Sequence, residues 1–101
     1  MNEVLILRRA EAELFAHYQW LDGQTPGRGA EFDADVDEAM RLLARHPAMA
    51  SRYALTGCRC YRLQRWHFGL FYTIEARRVI VCAALDLRQD PAAILRRLGL
   101  H

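Results

Sequence analysis

Apolar positions along the chain change their period twice. "EVLILR" (Glu3–Arg8) is a short apolar run and reads as a strand. In "RRAEAELFAHYQWLDG", Leu14, Phe15, Tyr18 and Leu21 fall at helical spacing and form one stripe. Gly23 follows the last turn, where a glycine can end a helix in the left-handed conformation. "QTPGRGAEFDADVDEAMRLLARHP" predicts a second helix, with Thr25 as its cap and Pro26 at its first position. Phe32, Val36, Ala39, Met40 and Leu43 make its stripe. Glu31, Asp33, Asp35, Asp37 and Glu38 lie mainly in its first half, Arg41 and Arg45 in its last turns. That order complements the helix dipole. His46 closes the helix, because a residue before proline avoids helical geometry. The connection is short, so the two helices form an antiparallel hairpin.

After a loop over "AMASRYALTG" the period falls to two. "CRCYRLQR" places Tyr61 and Leu63 on one face, Cys60 and Arg62 on the other. "FGLFYTIEA" groups Phe68, Leu70, Tyr72 and Ile74, which makes Tyr72 a core tyrosine. "RRVIVCAAL" is β-branched and small, as a central strand covered on both faces would be. "WHFG" and "EARR" are short enough for hairpin turns, and His67 reads as an exposed turn residue. Asp90 caps a last helix from Pro91 to Leu98, with Gly99 just behind it. The expected fold is α+β in a single domain over residues 1–101, with the order β-α-α-β-β-β-α. A helical hairpin packs on one face of a small antiparallel sheet. The other face, bordered by the last helix, is the natural binding surface.

Composition narrows the class. The chain has 101 residues, 52% of them hydrophobic and 26% charged, the balance of a globular protein with one modest core. No apolar run approaches a membrane span. The first apolar patch has an acid before it and arginines after it, the reverse of a signal peptide, so the expected compartment is the cytoplasm. Cys58, Cys60 and Cys82 are an odd count without a secretory signal, which argues against a disulfide framework. "CRC" places two of them on one strand face, but His17, His46, His67 and His101 lack ligand spacing. No metal or cofactor is expected, and the three cysteines read as buried or half-buried free thiols.

Charge changes the picture more. Residues 1–50 carry nine acids and five arginines; residues 51–101 carry nine arginines and three acids. Every basic residue is Arg, whose planar donor fork suits phosphate and carboxylate. A basic second half points to a polyanionic partner, nucleic acid or an acidic protein segment, or else to a solvated strand face. The acidic run of the second helix reads as a solvated helix face. Arg59, Arg62 and Arg65 are either a binding stripe or strand solubility. Arg88 either contacts a target or locks its turn by pairing with Asp86 or Asp90. Arg96 and Arg97 lie on the adjoining helix.

Four segments in order carry a family resemblance. They are "EAELFAHYQWL", "TPGRGAEFDADVDEAMRLLARHP", the hairpin "RWHFGLFYTIEARRVIVCAAL", and "LRQDP" after the last strand. Together they cover nearly the whole chain and resemble the RelE/ParE toxins of bacterial type II toxin–antitoxin (plasmid stabilisation) systems. The fold implied agrees with the order read from periodicity. The resemblance implies a cognate antitoxin, whose acidic or amphipathic tail folds onto the sheet and helices in a hetero-oligomeric complex. Some relatives cleave mRNA on the ribosome with basic residues on the sheet and the turn after it, often with a Tyr or His. Arg88 matches one such position and would be the catalytic residue of a nuclease. Where those relatives have His before the last turn, an Arg on the sheet and a Tyr in the final helix, this chain has Asp86, Gly69 and Ile94. These departures favour the ParE-like branch, which binds DNA gyrase and is not itself an enzyme. Two alternatives stand beside it: a ribosome-dependent mRNA endonuclease, and a degenerate antitoxin-binding protein without toxicity. The residues expected to touch target or antitoxin are Arg59, Arg62, Arg65, Arg88, Arg96 and Arg97.

Overall fold

A computed structural model gives the structure of residues 1–99; His101, among the histidines weighed above, lies outside the described residues. The elements are β1 (Glu3–Ile6), α1 (Arg8–Gln24), α2 (Arg28–Arg45), β2 (Arg59–Leu63), β3 (Phe68–Glu75), β4 (Arg78–Asp86) and α3 (Pro91–Arg97). This is the order expected from the pattern. The sheet runs β1-β4-β3-β2, antiparallel across β2, β3 and β4. The first strand joins β4 in parallel, so the sheet is mixed rather than wholly antiparallel. A connection through two helices can return a chain to its sheet in either sense, and a strand's apolar pattern does not record its neighbour's direction.

The hairpin covers one sheet face. Phe32, Val36 and Ala39 of α2 pack with Leu21 of α1 against Leu63, Phe68, Leu70 and Ala84. Further along, Ala10 and Leu43 meet Tyr72, Val79 and Val81. Leu14 and Tyr18 support this core, but Phe15 is 59% exposed and belongs to the outer surface instead. One residue after Leu14 turns about 100° around a helix, which carries Phe15 off the buried stripe. Ile74 likewise stands exposed near the end of β3. Gly29 lets the two helices approach closely, since a Cβ there would lie 2.8 Å from the Tyr18 ring.

The helix junction differs from the expected caps. Helix α1 runs past Gly23 to Gln24, and Thr25 sits at its C-terminal end. Helix α2 begins after Gly27, in the left-handed region at φ 94°. Neither Thr25 nor Pro26 opens it. The Asp22 carboxylate accepts hydrogen bonds from the Gly27 and Gly29 amides at 2.9 and 3.2 Å, doing a cap's work from the preceding helix. At α3 the expectation holds: Asp90 accepts from the Ala92 amide, and Pro91 follows it.

The second sheet face, expected to be an open binding surface bordered by the last helix, is instead covered by α3. Ile94, 2% exposed, packs with Cys58, Phe71, Ala83 and Leu85. A bulge in β4 makes this possible. Phe71 pairs with Ala83 and Tyr72 with Val81, so Cys82 is an extra residue on β4. The alternation changes phase there. Val79 and Val81 face the hairpin, while Ala83 and Leu85 face α3. The cysteines are free thiols, Cys58 buried and the other two half-buried. Burial pushes the Cys60 thiol up to about 11.

Candidate functional site

Beyond Val81, β1 has ended and the outer edge of β4 has no strand beside it. Side chains take over. The Ala84 amide donates to Glu13 Oε1 at 3.1 Å, and His17 Nε2 lies 2.8 Å from the Ala84 carbonyl. Arg97 donates to both Glu13 oxygens, at 2.7 and 2.9 Å, and to the Cys82 carbonyl at 2.9 Å. His17 also stacks on Phe68, with ring centroids 4.1 Å apart. The buried edge is therefore satisfied by two helices instead of a strand. This contradicts the expectation that Arg97 faces a target. Its side chain, 15% exposed, is turned inward to Glu13 and β4.

The arginines of β2 also separate. Arg59 shares the helix-facing side of β2 with Tyr61, and it donates to the Ala50 carbonyl at 2.7 Å, tying the loop before β2. Arg65 pairs with Asp35 of α2 at 2.8 Å and lies 4.8 Å from the centre of the Trp66 ring. Trp66 Nε1 donates to the same Asp35 oxygen. These bonds hold the Asp35 carboxyl below the usual carboxylate range, Arg65 foremost. So the acidic run is not simply a solvated face. Arg62 points to the opposite side of β2 from Arg59, because odd and even positions of a strand diverge, while Arg62 and Arg65 still line one cleft beside Asp35 and Trp66; the three arginines are not a single stripe.

Arg62 meets Arg88 as well. A cleft of about 380 Å³ at the end of the sheet is lined by Arg62, Leu63, Gln64, His67, Phe68, Leu87 and Arg88. Two turns build it. His67, in the β2–β3 turn, takes a left-handed backbone at φ 59°. Its carbonyl accepts from the Leu87 amide at 2.8 Å, which fixes the turn after β4 against the turn after β2. Arg88 is held by a fork. Its Nε and Nη2 donate to the two Asp86 oxygens at 3.1 and 2.9 Å, and its amide donates to Asp86 Oδ1. The Arg88 guanidinium holds the Asp86 carboxyl below its ordinary range. Arg88 nevertheless remains 59% exposed, so its outer face is open to a partner.

On the other side of Arg88 lies a second cleft, of about 310 Å³, lined by Ala16, His17, Trp20, Phe68, Asp86 and Arg88. Trp20 is 58% exposed there. Arg88 forms the ridge between the two clefts. Nothing in the residue pattern marks Trp20 or Gln64 for a site, and His67 reads from it as a turn residue. Trp20 lies off α1's buried stripe, an exposed aromatic whose surroundings appear only when the sheet end folds beside it. Arg96 is exposed on α3, outside both clefts. Among the described residues no group of three or more His, Cys, Asp or Glu is placed to hold a metal ion, and no helix is long and apolar enough to cross a membrane.

The architecture is that of a known class of toxins. The chain superposes with a TM-score of 0.76 on a chain of the "Chromosomal ParDE TA system from P. aeruginosa", at 19% identity, covering 87% of this chain and 98% of that one. No curated protein sequence matches. Residues 4–91 match the family described as ParE toxin of type II toxin–antitoxin system, parDE, and the chain belongs to that family.

Proposed function

We propose that this ParE-family toxin acts in the cytoplasm, over its whole length as one unit, by binding DNA gyrase through the ridge that carries Arg88, and that a cognate antitoxin neutralises it. The observation that carries the reading is the structural employment of the three positions where mRNA-cleaving relatives place reactive groups. Asp86 clamps Arg88. Gly69 is hemmed in by Cys60 and Leu87. Ile94 is core. The exposed groups left at the site, Arg62, Arg88 and Trp20, are of the types that anchor protein interfaces. The Asp86 fork fixes the Arg88 guanidinium in place while leaving it 59% exposed, so it is presented pre-oriented for recognition.

Tightly regulated expression in a bacterial host tests this. Wild type arrests growth with transcripts intact, the product of the neighbouring reading frame restores growth, and the double variant Arg62→Ala/Arg88→Ala, folded by circular dichroism, arrests weakly or not at all. Transcripts cut at fixed codon positions, with the cuts lost in Arg88→Ala, would replace gyrase binding with nuclease action. Full arrest by the double variant would remove the ridge from the mechanism.

A further inference from the structure

The outer edge of β2 is paired over only part of its length. Ahead of the strand, the loop makes a short antiparallel contact at Arg52 and Arg59. The Tyr53 amide donates to the Cys58 carbonyl at 2.9 Å, and the Cys60 amide to the Ser51 carbonyl at 3.0 Å. The Cys60 N–H therefore points away from β3, and two residues on, so does the N–H of Arg62. By then the loop has left the edge. Arg59 donates to the Ala50 carbonyl and the Tyr72 hydroxyl to the Pro47 carbonyl, at 2.7 and 2.6 Å, which draws the loop toward the helix side of the sheet. Among the described residues no loop backbone reaches the Arg62 amide. Two clefts occupy the space where the pairing would have continued, and they share Tyr61, Arg62 and Gln64. One, of about 440 Å³, is walled by α2 at Asp35 and Ala39; the other, of about 390 Å³, by the loop at Met49 and Ser51.

A strand edge with an open N–H and room beside it is a template for an added strand. Charge and position identify the partner. Among the described residues Arg62 has no carboxylate within salt-bridge distance. It also lines the cleft that leads to the ridge of Arg88, whose outer face is open. A second copy of the chain fits badly, because two β2 edges paired antiparallel about Arg62 would set like charges opposite each other. We infer that an extended, acidic segment of DNA gyrase adds to β2 as a fifth strand, its main-chain carbonyl accepting from the Arg62 N–H and a carboxylate of the segment facing the Arg62 guanidinium. The added strand continues the pairing that Ser51 and Arg52 begin. The inference rests on the gyrase reading and adds the way the target is held. Main-chain bonds provide affinity, and Arg62 selects the sign of the segment's charge.

Two variants separate main chain from side chain. Arg62→Ala removes the guanidinium and keeps the N–H; Arg62→Pro removes both. Proline is tolerated at an edge position whose N–H faces outward, since no bond within the sheet is lost. With both variants folded by circular dichroism, purified gyrase binds Arg62→Pro about tenfold more weakly than Arg62→Ala. Amide hydrogen exchange on the wild type reads the same bond without a substitution, and it decides the matter if Arg62→Pro does not fold. The Arg62 amide exchanges fast in the free chain and at least about tenfold more slowly with gyrase bound. Equal affinity of the two folded variants, or unchanged exchange at Arg62, overturns the added strand while leaving gyrase binding intact. No binding of the wild type to gyrase sinks the gyrase reading and the strand with it. Exchange that slows as the chain alone is concentrated would give the edge to a second copy. Exchange slowed by the neighbouring gene's product but not by gyrase would give it to the antitoxin. Either result overturns the inference.

Discussion

Gly69 shows how one residue links packing to function. A Cβ at this position would lie 2.7 Å from Cys60 Sγ and 2.9 Å from Leu87 Cδ2. Leu87 is the residue whose amide ties the post-β4 turn to His67, next to Arg88. Gly69→Ala is expected to destabilise the fold by about 1–3 kcal/mol through overpacking, read as a lower urea midpoint at unchanged slope. A neutral result would show that the Leu87 end of the turn moves freely. An arginine at this position would have to displace Leu87. Asp35 gives a pH signature at the same scale. Its folded-state pKa is lowered, so the stability it contributes is complete above the unfolded carboxylate value of about 3.9 and is lost as pH falls through the lower folded value. Asp35→Asn should therefore melt below wild type at neutral pH, with the difference closing in acid below about pH 4. A difference that stays constant with pH would assign the effect to something other than the charge on Asp35.

Among the elements, α1 carries the most information that periodicity left unread. Apolar residues alone put Phe15 in its stripe. The face turned to the sheet holds Ala10, Glu13, His17 and Leu21, spaced three to four residues apart, with polar groups at the two middle positions. That spacing was the available signal, but a polar residue inside a helical stripe has meaning only once its partner is known. Here the partner is a strand edge left bare because β1 is four residues long. Glu13→Ala would leave the Ala84 amide without an acceptor and Arg97 with the Cys82 carbonyl but no carboxylate, in a half-buried setting. The expected loss is roughly 2–4 kcal/mol, measured by denaturant unfolding. A loss under about 0.5 kcal/mol would mean that water replaces the carboxylate and that the edge needs no clamp. The bulge at Cys82 was equally hidden, because an extra residue in a strand shows only against its partner's register. Helix α2, by contrast, was legible in its stripe: Phe32, Val36, Ala39 and Leu43 are all buried, with Met40 packed beside them. Its start was not, since Asp22 caps it from another helix.

For the molecule as a whole, the order of elements follows from the change of period along the chain, whereas the faces of β4 and of α1 do so only in part. The charge division between its halves became spatial. The hairpin is acidic along the groove between α1 and α2, at Glu11, Asp33 and Asp37, and the sheet end is basic at the ridge of Arg62 and Arg88. Counting arginines along the sequence could not tell those that hold the fold from those that face outward. Arg59, Arg65 and Arg97 are tied to a loop carbonyl, to α2 and to the β4 edge. Arg62 and Arg96 are exposed at the surface, and Arg65 and Arg88 are exposed too, at 53% and 59%, although each is paired with a carboxylate. The proposed gyrase binding belongs to this scale, because it would need two turns and one helix to present a single surface.

The measurement that tests it most directly is DNA supercoiling by purified gyrase in the presence of the purified chain. Wild type is expected to block supercoiling, and Arg62→Ala/Arg88→Ala to need at least about tenfold more protein for the same effect. Unimpaired supercoiling at saturating wild-type protein, with its fold confirmed, would contradict the account.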